Sequence, residues 1–225
     1  MHKDPNTTEP FFVDVARLWP LAAFTSVYLI GASWLALERG NIEFMLYIGV
    51  MLIIIPLVLW VHWRVILNDA VLWGLSFWGL VHMAGGLVVV PEAWPVEAQS
   101  RVLYSLWLIP GQLKYDHVVH AYGFGLATWV CWQGLRAAIR HRGGSTASPS
   151  IGLMVLSATA GMGLGSLNEL IEFVATLTVP ETNVGGYVNT GWDLVSNFIG
   201  ALTAVTLISL HDRYKRSDTA PVGSS

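Results

Sequence analysis

The chain reads as an all-α, polytopic membrane helix bundle with about six transmembrane helices, and three observations predict it. Of 225 residues, 54% are hydrophobic and only 12% charged, and mean hydropathy is +0.55, whereas soluble domains carry about 25% charged residues. Apolar runs of about 20 residues recur, the length that crosses a ~30 Å hydrocarbon layer at ~1.5 Å per helical residue. The 11 tryptophans suit the zone between headgroups and hydrocarbon.

The spans run approximately from Leu21 to Leu37, Ile42 to Trp60, Val71 to Val90, Tyr115 to Ile139, Ile151 to Val179 and Gly191 to Leu210. The first two contribute hydrophobicity alone. The third carries His82 past its middle, in "HMAGG". The fourth begins with "YDHVVHAYGFG", the fifth carries "SLNELIEF" in its later half, and the sixth opens with "GWDLVSNFIG". No repeat or second domain is visible, so residues 1–20 form an N-terminal segment, 21–210 a single membrane domain and 211–225 a polar tail. The start, "MHKDPNTTEP", is polar and acidic with no apolar core, unlike a signal peptide. The tail, "HDRYKRSDTAPVGSS", reads as disordered beyond its basic cluster. A net charge of −3 argues against a nucleic-acid partner. Cys131, the one cysteine, excludes an intrachain disulfide and a cysteine-based metal site.

Cytoplasmic loops retain lysine and arginine. With the N-terminus inside, Lys3, Arg17, Arg64, Arg136, Arg140, Arg142, Arg213, Lys215 and Arg216 fall inside, against Arg39, Arg101 and Lys114 outside. Both termini are therefore expected in the cytoplasm. In that orientation the third to sixth spans, alternating in direction, deliver His82, Asp116, His117, His120, Asn168, Glu169, Glu172, Asp193 and Asn197 to the outer half of the bilayer.

Asp116 and His120 are four residues apart, as are Asp193 and Asn197, and Glu169 and Glu172 are three apart, so each pair shares one helix face. An ionised group at the lipid centre costs at least ~2.5–3.5 kcal/mol, so those faces point into the bundle. Gly161, Gly163, Gly165 and Ser166, with Gly85 and Gly86 near His82, read as devices for close helix approach. One buried polar cluster is the economical expectation. Blander readings stand beside it: His82 as a packing histidine, His117 as a headgroup-facing residue, Asp193 as a helix cap.

These stretches also carry a resemblance. "HMAGG" followed by a long outer loop, "YDHVVHAYGFG", "NELIEF" and "GWDLVSNFIGAL" resemble the motifs of bacterial inner-membrane proteins of the YjdF type, and their order is similar to that of the wider VanZ-like group. The resemblance covers roughly residues 70 to 205. It implies that Asp116, His120, Glu169, Glu172 and Asp193 are shared polar positions, with His117 where a basic residue is common. It also implies a multi-pass protein of the bacterial inner membrane, linked to the cell envelope.

Histidine with carboxylates and no thiol suits a divalent metal, Zn²⁺, or Mn²⁺ and Mg²⁺ where oxygen dominates. The candidate ligands are His82, His120, Glu169, Glu172 and Asp193. The candidate catalytic groups are His120, Glu169, Glu172, Asp116 and Asp193, and His120 and Glu172 can also trade a proton as acid and base without metal. Three function classes follow: an enzyme acting on a lipid or lipid-linked envelope substrate, a proton- or ion-coupled transporter, and a non-catalytic assembly protein. A path across the membrane needs ionisable groups in the inner half too, and there only Asn68 and Asp69 present themselves, which favours a one-sided site.

Overall fold

The computed structural model describes residues 15–96, 101–145, 147–180 and 182–219; Lys3 and the end of the tail lie outside them. Among the described residues six long helices form the protein: α1 (Trp19–Glu38), α2 (Ile42–Val65), α3 (Asp69–Leu87), α4 (Tyr115–His141), α5 (Ile151–Thr178) and α6 (Tyr187–Thr219). A short antiparallel hairpin, β1 (Trp107–Ile109) and β2 (Leu113–Lys114), turns at Gly111 and precedes α4. Side-chain caps start three of the helices. Asn41 accepts from the Phe44 N–H, Asn68 from Val71 and Ser150 from Leu153, which satisfies donors that a helix start leaves open.

Five of the six are long and apolar enough to cross a membrane: α1, α2, α3, α5 and α6. The fourth expected span is the exception, and its surroundings explain why. Asp116, His117, His120, Gln133 and Arg136 lower the hydropathy of α4, yet α4 packs on α3, α5 and α6, so protein rather than lipid covers much of its surface. The outward faces of the other helices are apolar: Val27 and Ile30 on α1, Ile53 on α2, and Leu170 and Leu177 on α5 are all exposed. In water such a surface would aggregate; in lipid it is the solvent-matched face.

Two apolar clusters clamp the bundle at opposite ends. At one end Ala32, Ala36, Phe44, Tyr47, Met83, Leu87 and Ala175 join α1, α2, α3 and α5. At the other, Trp132, Met154 and Ile208 join α4, α5 and α6. Missing side chains set the spacing between helices. A Cβ on Gly200 would lie 2.0 Å from the Ala121 carbonyl oxygen, so α4 and α6 touch backbone to backbone. A Cβ on Gly86 would meet the Phe44 ring at 1.7 Å, which seats α2 on α3.

Three expectations need correction. The sixth helix begins at Tyr187 rather than Gly191 and runs on to Thr219, so the basic cluster of the tail is helical, with Asp212 and Arg216 paired at 2.8 Å across one turn, while residues 220–225 lie outside the described residues. Asp193 consequently lies well inside α6 and caps nothing. His117 is buried rather than facing headgroups, and its Nδ1 accepts from the Lys114 N–H at 3.2 Å.

The backbone contact at Gly200 makes a direct prediction. Gly200→Ala must push α4 from α6 and should lower stability by about 1–3 kcal/mol or more, as overpacking does. Gly163→Ala, which meets nothing within 4 Å, should be neutral or stabilising by up to ~1 kcal/mol through helix propensity. Melting temperatures in detergent check both, and equal melting temperatures would remove Gly200 from this role.

Candidate functional site

The ends of α3 and α5 meet the starts of α2, α4 and α6 at one end of the bundle. Each helix brings polar residues there for a local reason. Asp116 stands in the first turn of α4, where the helix dipole favours negative charge. His120, one turn on, shares its face. Glu169 and Glu172 lie one turn apart on α5, and Asp193 with Asn197 one turn apart on α6. Gly165 of α5 opens the space that Asn197 fills, since a Cβ there would sit 2.8 Å from the Asn197 Nδ2.

His120 is the centre, 5% exposed. Its Nε2 lies 3.5 Å from Asp116 Oδ1 and 3.8 Å from Glu172 Oε1, and its Nδ1 lies 3.6 Å from Glu169 Oε1. The Asn197 Oδ1 is closer to Nδ1, at 3.1 Å. Asp193, with no exposed surface, joins Asp116 and His120 within a 4.8 Å group of potential ligand atoms, and His120, Glu169 and Glu172 form a second such group. The structure thus gathers all five expected catalytic positions around one imidazole.

His82 stands apart from both groups. Its Nδ1 is hydrogen-bonded to the Tyr104 hydroxyl, and its ring sits among Tyr47, Phe44, Trp78 and Tyr104. Tyr104 comes from the loop before β1, and burial pushes its phenol well above the ordinary value, so it stays protonated. Of the expected ligands, His82 is therefore the one that the fold does not bring to the set around His120.

Three contributors to this end of the bundle, and one buried histidine away from it, went unnoticed in the sequence. Asn189, on the first turn of α6, donates to Asp193 Oδ2 at 2.7 Å and to Asp116 Oδ2 at 3.4 Å, while its own oxygen accepts from Lys114 Nζ at 3.1 Å. The i, i+4 spacing of Asn189 and Asp193 was the available signal. Lys114, counted only as a topology residue, is the ammonium behind that relay and lies 4.9 Å from the Trp107 ring centroid. Glu43, buried at the start of α2, accepts from Tyr47 Oη at 3.3 Å and from Asn183 N and Nδ2 at 2.8 and 3.0 Å, so α2 adds more than hydrophobicity. In the other half of the membrane domain, His62 is buried with its Nδ1 unpartnered.

Charge compensation is uneven. Asp116 and Asp193 share the Asn189 amide with Lys114 behind it. Glu172 accepts from Asn168 Nδ2 at 2.7 Å, but Glu169 Oε1 is buried without a hydrogen-bond partner, as are Asp193 Oδ1 and Asn197 Nδ2. Buried polar atoms are rarely left so, and each such atom costs about 1–3 kcal/mol. Chemically, such an arrangement can take up a cation or a proton.

Residues 20–213 match the family described as predicted membrane protein, DUF2238. The chain belongs to that family. No curated protein and no solved structure matches it.

The Asn189 relay generates a test. Asn189→Ala strips Asp116 and Asp193 of their shared donor and should cost about 1–3 kcal/mol. In an Asp116→Asn background, where the repulsion is already relieved, the same change should cost less, leaving a coupling of about 0.5 kcal/mol or more. Thermal unfolding of the four proteins measures it; simple additivity would separate Asn189 from the carboxylates.

Proposed function

We propose that this DUF2238 protein is a divalent-cation-dependent membrane enzyme acting on a lipid or lipid-linked envelope substrate from the outer half of the bilayer. His120, Glu169 and Glu172 hold the cation, and Asp116 and Asp193, positioned by Asn189 with Lys114 behind it, move the proton. The observation that carries this reading is the spacing around His120. Separations of 3.5, 3.6 and 3.8 Å are too long for good hydrogen bonds. One ligand atom from each of His120, Glu169 and Glu172 lies within 4.8 Å of the other two, which small side-chain shifts bring to the ~3.4 Å between donors ~2.1 Å from a tetrahedral metal. Two glutamates beside one imidazole carry the charge that a divalent ion cancels, and buried carboxylates without such a partner repel.

A bound ion of this kind acidifies a coordinated water or polarises a phosphoryl or carbonyl oxygen. Asp193 Oδ1, buried and unpartnered, would supply a proton acceptor from the group that Asp193 forms with Asp116 and His120, distinct from the two glutamates' group. The ion-coupled transporter is the weaker reading. His62 supplies a buried titratable group on the far side, but the cavity that reaches down the bundle from His82 and Glu172 is lined beyond them by apolar and hydroxyl side chains. The resemblance to YjdF-type and VanZ-like proteins supports an envelope substrate and the bacterial inner membrane.

For orientation, Arg17, Arg64, Arg136, Arg140, Arg142, Arg213, Lys215 and Arg216 gather at the end of the bundle away from the cluster, which supports cytoplasmic termini and a site toward the outside. A topology reporter fused after Ser225 should be active only in its cytoplasmic form; periplasmic activity would invert the site to the inner half.

Metal analysis of protein purified from metal-replete cells tests the cation itself. Wild type should retain a divalent ion, and excess Zn²⁺ or Mn²⁺ should raise its stability by about 3 kcal/mol at a hundredfold excess over the dissociation constant. Glu169→Gln and His120→Ala should lose the ion. Glu169→Gln and Glu172→Gln should stay folded, because a repulsive buried charge is gone, yet fail an envelope-stress or antibiotic-sensitivity assay. Wild type without metal and without a stability response would sink the proposal.

A further inference from the structure

Between α1, α2, α3 and α5 lies a cavity of about 390 Å³. Its wall at one end is Tyr47, His82, Asn168 and Glu172, and at the other Leu18, Leu59 and Leu72. Glu172 belongs to the group around His120, so the cavity is continuous with the polar cluster. From His82 to Leu72 along α3 it descends ~15 Å at the helical rise, about half of a ~30 Å hydrocarbon layer. Below its polar end the described lining has no ionisable carboxylate, imidazole or amine. Its polar groups there are the hydroxyls of Thr25, Ser26, Tyr28 and Ser76, two of which satisfy each other at 2.6 Å. Above it the Phe44, Met83 and Leu87 cluster closes the bundle. At its side Leu52 and Leu59 of α2 are both lining and exposed, so the wall reaches the lipid.

We infer that this cavity holds one acyl chain of a membrane phospholipid, entering sideways past α2 with its ester and headgroup beside Glu172. Four features select this occupant. The slot extends ~15 Å along α3 for a volume of about 390 Å³, proportions that suit a hydrocarbon chain. It is of one-leaflet length, which a long polyprenyl chain would overrun. Below its polar end the wall is apolar but for those four hydroxyls, without the carboxylates, imidazoles or amines of a proton or ion path. It ends on acid and imidazole, where a phospholipid changes from hydrocarbon to polar ester. The inference rests on the proposed reaction only for what the headgroup meets; the chain's seat is independent of the cation.

Photolabelling of the full-length protein in nanodiscs tests this. The probes are phosphatidylglycerol bearing a diazirine at the end of one acyl chain and, in a separate arm, palmitic acid with the same group. Peptide mapping should place phospholipid label on Leu18, Leu21, Leu59 and Leu72, and excess unlabelled phosphatidylglycerol should abolish it saturably. Ile55→Trp on α2 and Leu75→Trp on α3 fill the slot from facing walls and should each remove most of that label, while Leu170→Trp on the exposed face of α5 leaves it unchanged. Label confined to exposed residues, or undiminished by competition and by both tryptophans, would mean surface lipid only and overturn the inference. Label from palmitic acid but not from phosphatidylglycerol would overturn it in favour of a free fatty acid. Cation retention, read on the same preparations, keeps the two proposals apart. Cavity label without metal leaves the chain site standing and removes the cation reading, and metal without cavity label does the reverse.

Discussion

Carboxylates brought together out of water repel one another and attract anything positive, and that constraint organises this protein. Asp116, Glu169, Glu172 and Asp193 come from three helices, and each must reach the same imidazole without meeting lipid. The helices can satisfy this only by packing tightly where those residues lie, and that packing is what the glycines permit. Gly200 lets α6 touch α4, and Gly165 leaves room for the amide that braces His120. The small residues and the acids are thus two parts of one arrangement, because removing a side chain from one helix is what admits a polar one from the next.

A second consequence is the division of labour between helices. α4, α5 and α6 carry the charge, and α4, the least lipid-like of the six, is covered by its neighbours. α1 and α2 are strongly apolar and largely lipid-facing, with only 17% of their spanning windows buried. They stand off from the polar half far enough to leave a deep apolar space. Glu43 and Asn183 join the two halves at the end nearest the cluster, where α2 would otherwise be held by apolar contacts alone.

Much of this was legible in the sequence. Hydropathy located the membrane-crossing runs because the bilayer demands an apolar stretch of fixed length. Depth located the polar residues because alternating direction turns sequence position into height. What escaped depends on contacts that no local pattern records. His117 looked like a headgroup residue because its angular position says nothing of the β1–β2 hairpin that precedes it or of Trp107 and Trp192 beside it. Lys114 looked like a topology signal because lysine near a span end usually is one. Glu43 looked like an ordinary first-turn acid, and only the return of the chain between α5 and α6 turns it into a buried acceptor. His82 shares the depth of His120 but not its partners, since an aromatic shell separates equal height from contact.

The length of α6 has a mechanical meaning. Its 33 residues extend ~50 Å at the helical rise, well beyond a ~30 Å hydrocarbon layer. Because Asp193 and Asn197 fix one end inside the bundle, the rest is a stiff rod rather than a tether. Arg213, Lys215 and Arg216 ride on that rod at a set height and rotation, so a headgroup or protein gripping them would twist the same helix that holds the buried acid.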